Sequence, residues 1–223
     1  MSISPPTRRS LLPLLALAAL AVLVTACGGG SATSTPSTAA AQTSASPYTG
    51  LALDPAPDLS GIALPIAGAD GATLPLKPGG DRLLLLFLGF TNCPDICPTT
   101  LADLRSAIKQ LPAADRERID VAVLTVDPTR DTPRLLTQYV QAFFPNGTAL
   151  RIADDAELQR FTKEIGAAYQ VAKDADGETE VIHSSFLYAI DGNGSLVLQW
   201  PFGVSSKALA ADLELLLAEP PAS

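Results

Sequence analysis

Two cysteines four residues apart and a single histidine must carry any metal or redox chemistry of this 223-residue chain. The cysteines lie in Phe90-Thr91-Asn92-Cys93-Pro94-Asp95-Ile96-Cys97-Pro98, the histidine in Val181-Ile182-His183-Ser184-Ser185. One further cysteine, Cys27, stands near the N-terminus, and the sole methionine is the first residue. So small an inventory excludes a three-histidine zinc centre, a four-cysteine ribbon and a methionine-rich copper tract. Cys93 and Cys97 each precede a proline, which steers the preceding residue from helical toward extended geometry. The segment between them therefore has to turn, which can bring the sulfurs together for a disulfide or for one shared metal ion. Helix is expected from Pro98, leaving Cys97 just ahead of a helix N-terminus, where the macrodipole favours the thiolate. A bridge closing so short a loop removes little chain entropy, so a purely structural disulfide has little to contribute. With His183 as third donor, two thiolates and an imidazole make a soft S2N set. Such a set suits Cu(I), and also Cu(II) with an added weak ligand. Structural zinc would need a fourth protein ligand, which only a carboxylate could supply.

The elements around these residues read as an exported, tethered α/β domain. Residues 1–26 have Arg8 and Arg9, an apolar run over 11–24 and then Val24-Thr25-Ala26-Cys27. That is the layout of a secretory signal, with an apolar stretch too short to span ~30 Å of hydrocarbon comfortably. The last four residues resemble a bacterial lipobox, so Cys27 is expected to be acylated, and two acyl chains suffice for stable anchoring. The paired arginines leave both the general secretory and the twin-arginine routes open. The expected location is the bacterial cell envelope, outside the cytoplasm and anchored by an N-terminal lipid, where thiols tend to oxidise. Removing the leader takes two of the 15 basic residues and none of the 23 acidic ones, moving the net charge from −8 to −10. So acidic a chain excludes nucleic acid as a partner, because neutralising phosphates needs a basic face. Residues 27–57, mostly Gly, Ser, Thr, Ala and Pro, are expected to be a flexible tether reaching ~25–30 Å.

From residue 58 to 223 strands and helices alternate in one domain. The run Leu83-Leu84-Leu85-Leu86-Phe87-Leu88-Gly89-Phe90 predicts a strand buried on both faces. A helix is expected over 98–111, a second buried strand over 119–126, and a helix that opens at Thr132-Pro133. A short strand at 151–153 and a helix at 156–168 follow. Strands at 185–190 and 195–200 flank Asp191-Gly192-Asn193-Gly194, a hairpin signal; a helix at 206–217 closes the chain. This order predicts a thioredoxin-like three-layer α/β fold, with a central mixed sheet and helices on both faces. It also returns the chain to the cysteine loop near His183. Asp174-Ala175-Asp176-Gly177 lacks the later ligands of a calcium loop and reads as a hairpin turn. Asn146-Gly147 and Asn193-Gly194 likewise suit turns, and no Gly-x-Ser-x-Gly elbow supports a serine hydrolase.

Three ordered blocks carry a resemblance to a known family. Gly89-Phe90-Thr91-Asn92-Cys93-Pro94-Asp95-Ile96-Cys97-Pro98-Thr99-Thr100-Leu101 resembles the signature of the Sco/SenC family, copper proteins for the synthesis of cytochrome c oxidase. Val126-Asp127-Pro128-Thr129-Arg130-Asp131-Thr132-Pro133 is similar to its second block, and His183-Ser184-Ser185 with the residues through Asp191 to its third. The resemblance implies a membrane-tethered thioredoxin-like protein that binds copper through Cys93, Cys97 and His183. It implies as partners the copper-bearing subunit of cytochrome c oxidase, and possible exchange with another copper chaperone or a thiol reductase. Ile182 departs from the pattern, which often has an acid before the histidine. Asp127 aligns with a family aspartate near the metal, as a supporting or partner-contact residue. An acid that ends a strand and caps a turn beside Pro128 is the alternative. The competing function is a thiol–disulfide oxidoreductase. Against a general thioredoxin stand the three-residue spacing between the cysteines and the lack of proline between Pro145 and Pro201. Peroxide scavenging by Cys93 or Cys97 would rest only on a helix-favoured thiolate and on the fold.

Overall fold

The computed structural model describes residues 46–173 and 175–218. The expected leader, Cys27, the upstream part of the expected tether and Asp174 lie outside the described residues. Fifteen elements follow in chain order. They begin with β1 (Leu51–Ala52), β2 (Ala63–Pro65), β3 (Thr73–Pro75), β4 (Leu83–Gly89), α1 (Ile96–Gln110) and α2 (Ala113–Arg116). Next come β5 (Ile119–Thr125), α3 (Pro133–Phe143), β6 (Thr148–Leu150) and α4 (Asp155–Glu164). The chain continues with β7 (Tyr169–Lys173), β8 (Thr179–His183), β9 (Phe186–Ile190), β10 (Leu196–Pro201) and α5 (Ser206–Ala218).

Six strands form one mixed sheet in the order β1-β10-β9-β4-β5-β6. All seven residues of β4 are buried, as a strand paired on both edges and covered on both faces requires. β5 runs parallel to it, from Leu83 opposite Ile119 to Gly89 opposite Thr125. The two strands therefore end level, and the loops after them leave from the same edge. β9 pairs with the other edge of β4 in the opposite direction, with Phe87 opposite Leu187. Antiparallel pairing makes the start of β9, just after His183, arrive where β4 ends. α1 packs against α5 and more lightly against α3. Among the described residues no helix is long and apolar enough to cross a membrane.

Several expected boundaries move, each for a local reason. α1 begins at Ile96, two residues before Pro98, so Cys97 is helical. Pro98 is tolerated because the first helical N–H groups have no intrahelical acceptor to lose. The edge strand is β6, upstream of the expected 151–153; Arg151 instead turns its guanidinium to backbone carbonyls of the 127–131 loop. α4 stops at Glu164, because Gly166 takes a positive φ of 68°, as a C-terminal glycine does. The hairpin of β9 and β10 appears as expected, and the turn of 175–178 joins β7 to β8.

The folded unit also begins earlier than residue 58. β1 lies within the expected tether, yet pairs with β10, Leu51 opposite Gln199. Buried Asp212 on α5 secures it, accepting hydrogen bonds from the N–H groups of Thr49 (2.9 Å) and Gly50 (2.8 Å) and from Trp200 Nε1 (2.7 Å). A Cβ on Gly50 would stand 2.7 Å from that indole nitrogen, so the close approach needs glycine. Asp212→Ala orphans the buried donors of Gly50 and Trp200 and frees Thr49, and is expected to lower stability by at least ~1–3 kcal/mol. Urea denaturation followed by fluorescence of Trp200, the only tryptophan, measures this; an unchanged midpoint refutes the clasp.

Candidate metal centre

Cys97, the second residue of α1, is fully buried against the end of β4. Gly89 makes room for it: a Cβ there would come within 3.2 Å of Cys97 Sγ and 2.9 Å of the Phe87 ring. His183, the last residue of β8, places its Nε2 3.9 Å from Cys97 Sγ. Its Nδ1 stands 3.0 Å from the carbonyl oxygen of Ser184. A carbonyl only accepts, so Nδ1 carries the proton and donates it, leaving the Nε2 lone pair toward Cys97. Phe87 and Phe90 flank the imidazole edge to face, at centroid distances of 6.5 and 5.9 Å. Burial in this apolar setting holds the His183 pKa below 6.5, and the bond to Ser184 offsets it only in part. The ring is therefore held in its neutral form, the form that ligates metals.

Cys93 is half-buried, and its Sγ accepts the N–H of Cys97 at 3.3 Å. An amide of the first helical turn thus points at the outer sulfur. The inner thiol departs from the expectation that the helix N-terminus favours its thiolate. Burial pushes the Cys97 pKa up, reinforced by its hydrogen bond with Cys93, because desolvation outweighs the helix dipole here. A thiol so desolvated keeps its proton unless a cation compensates the charge of the thiolate. A thiolate sulfur and an imidazole nitrogen at zinc-like distances of ~2.3 and ~2.0 Å stand about 3.5–3.7 Å apart around one ion. The observed 3.9 Å between Cys97 and His183 is close to that span. Among the described residues no three His, Cys, Asp or Glu side chains are already closed around one point. The arrangement is a near-formed Cys97–His183 pair with Cys93 at its rim.

Asp127 is 1% exposed and its carboxylate pairs with Arg130. Its link to the centre is indirect, since the Arg130 guanidinium lies 6.0 Å from the centroid of Phe90, which flanks His183. Ile182, at the position before the histidine, is 61% exposed. Two residues of this neighbourhood were not foreseen. Buried Asp131 accepts hydrogen bonds from Thr91, in the cysteine loop, and from Thr125. The buried Tyr139 hydroxyl has no hydrogen-bond partner among the described residues. Burial raises its pKa, and the charges of Cys97, Cys93 and Asp131 raise it further. Asp131 precedes a helix cap in sequence, which gives no sign that its side chain turns back to another loop.

A family model described as SCO1/SenC matches residues 76–218. A Stutzerimonas stutzeri protein that carries the name of a copper-binding protein is 40% identical over 115 residues. The match spans 52% of this chain and 56% of that curated relative, so only a little over half of the relative's length is represented. The solution structure of apo Sco1 from Thermus thermophilus is similar with a TM-score of 0.65 and 31% identity, over 76% of this chain and 96% of that one. The structure of Bradyrhizobium japonicum ScoI with copper bound gives 0.59 and 25%, over 70% and 98%. The fold is thus thioredoxin-like: α/β, with a central mixed sheet layered by helices.

The buried imidazole makes stability depend on pH. With the folded pKa below the unfolded value, the unfolded chain takes up the proton first as pH falls. The contribution of His183 is therefore full above pH 6.5 and is lost as pH drops from there through the folded pKa. NMR titration of the single histidine should give a midpoint below 6.5, and His183→Gln should remove this part of the acid sensitivity; a midpoint at or above 6.5 contradicts the burial argument. Gly89→Ala forces Cys97 or Phe87 to move and is expected to cost ~1–3 kcal/mol by overpacking, read from urea denaturation.

Proposed function

Because the chain belongs to the SCO1/SenC family, whose model covers residues 76–218, we propose that it is a copper-binding protein acting in cytochrome c oxidase assembly. In this reading copper is cargo, held by the Cys93 and Cys97 thiolates and His183 Nε2 and passed to the copper-bearing subunit of the oxidase. Another copper chaperone or a thiol reductase is a further partner in this reading. An acylated Cys27 anchors the domain to a membrane of the bacterial envelope, outside the cytoplasm, and the segment after it lets the domain reach its partner.

The observation that carries this reading is the approach of His183 Nε2 to Cys97 Sγ with Nδ1 already committed to the Ser184 carbonyl. The free lone pair and the buried sulfur point to the same place, in a soft donor set that favours Cu(I). The two cysteines divide the work. Cys97 and His183 retain the ion in an apolar pocket, while half-buried Cys93 offers the sulfur at which an incoming thiolate exchanges. Cys97 loses its proton on loading and regains one on release, so uptake is opposed by acid.

A second reading has an observation of its own: an outer sulfur that accepts a helix N-terminal N–H beside a buried inner thiol is also the layout of a dithiol reductant. Anaerobic titration with Cu(I) against a competing chelator separates the two. The parent protein should bind one equivalent, the double variant Cys93→Ala, Cys97→Ala none tightly, and His183→Ala at least ~10-fold more weakly. Oxidase copper loading in cells should fail in all the variants. Loading that survives His183→Ala but not loss of the cysteines assigns the role to thiol chemistry.

A further inference from the structure

Asp131 is fully buried, yet its carboxylate is given over to the loop that carries the first cysteine. Oδ2 accepts the Thr91 N–H at 3.1 Å and Oδ1 the Thr91 hydroxyl at 2.5 Å. The Thr125 hydroxyl donates to Oδ2 at 2.5 Å. Burying a carboxylate is unfavourable unless hydrogen bonds satisfy it, and two of these three donors belong to one residue of the cysteine loop. Thr91 lies two positions before Cys93 and directly after Phe90, the ring that flanks His183. The turn between them is tight, with Cys93 N–H donating to the Phe90 carbonyl at 3.3 Å. Holding Thr91 therefore holds both the outer sulfur and one wall of the histidine pocket.

The anchor is itself fixed from elsewhere in the fold. The Asp131 N–H donates to the Asp127 carbonyl at 3.0 Å, closing the turn after β5. Arg151, just past β6, donates from Nε to the carbonyls of Asp131 and Pro128, both at 3.2 Å, and from a terminal nitrogen to Pro128 at 2.8 Å. Thr125 also accepts the Asp127 N–H at 3.0 Å. The carboxylate thus stands on a braced turn, and the loop it grips has fewer ties of its own.

We propose that Asp131 is a positioning residue for the two-cysteine loop. Through Thr91 it keeps Cys93 Sγ against the first turn of α1, where Cys97 and His183 can share one ion with it. Its loss lets the 90–93 turn spread, so the two sulfurs meet less often. The consequence for copper rests on the Cys93, Cys97 and His183 reading, but the consequence for the dithiol does not.

Two equilibria test this on the full chain. In the first, the Cys93–Cys97 dithiol reacts with oxidised glutathione to give the intramolecular disulfide and two molecules of reduced glutathione. Asp131→Ala should lower that constant about 10-fold or more, since it falls with the effective concentration of one sulfur at the other. In the second, Cu(I) affinity should fall by about 10- to 100-fold, the range for residues that orient metal ligands. Thr91→Val should move both in the same direction by less, because the backbone N–H remains. Thr162→Val, which removes a buried hydroxyl that donates to the Gln159 carbonyl within α4, is the control, expected to lower stability but leave both equilibria within twofold of the parent. If Asp131→Ala does not fold, Thr91→Val against Thr162→Val decides. Equilibria that stay at parental values in Asp131→Ala and Thr91→Val, or that shift equally in Thr162→Val, overturn the assignment. A parent protein that fails to bind Cu(I) overturns the copper reading alone, and the glutathione arm still judges Asp131.

Discussion

The parallel pairing of β4 with β5 is the constraint on which the rest of the centre depends. Its register sets Gly89 level with Thr125, so the cysteine loop and the 127–131 turn emerge side by side. Hydrogen bonding across that edge becomes possible only because the strands end together. Antiparallel β9 on the other side of β4 delivers the histidine segment to the same place. Sites in α/β sheets gather at the carboxyl ends of parallel strands for this geometric reason. A slip of one residue between β4 and β5 would turn every side chain to the opposite face and part Thr91 from Asp131.

Within that frame the chemistry follows from a graded burial. The inner thiol and the imidazole sit in an apolar pocket lined by Phe87 and Phe90, which disfavours the thiolate of Cys97 and the imidazolium of His183 alike. The same burial thus favours the uncharged form of both groups. The outer sulfur keeps contact with solvent and with a helical N–H. The inner sulfur is thus buried and the outer one accessible. The turn bearing Asp127, Arg130 and Asp131 backs this pocket through the Arg130–Phe90 contact and the Asp131–Thr91 bonds.

Much of this was legible in the residues. Scarcity did part of the work: with one histidine and two cysteines beyond Cys27, a soft metal site had almost no alternative composition. The apolar run of β4 and the Thr132-Pro133 cap of α3 announced themselves because burial on both faces and a preset proline φ leave direct marks on residue type. Other features left none. β1 lay hidden at the end of a stretch rich in Gly, Ser, Thr, Ala and Pro, since it is held by backbone pairing and by a carboxylate 162 residues away, not by a pattern of its own. The pre-proline rule puts Cys97 outside the helix, yet the first turn of α1 takes in both Cys97 and Pro98.

The sequence by itself determined the donor types, their order along the chain and the alternation of strand and helix, because these depend on composition and on local periodicity. Only the tertiary structure decided which donors meet and in what state. Whether Cys97 is a thiolate or a buried thiol, and which nitrogen of His183 faces it, turns on desolvation and on one carbonyl oxygen brought there by β8. The same holds for the two aspartates of the 127–131 turn. Four residues apart in sequence and alike in type, they differ in partner: Asp127 meets Arg130, and Asp131 meets the cysteine loop. Through-space packing separates them, and no local rule reads it in advance.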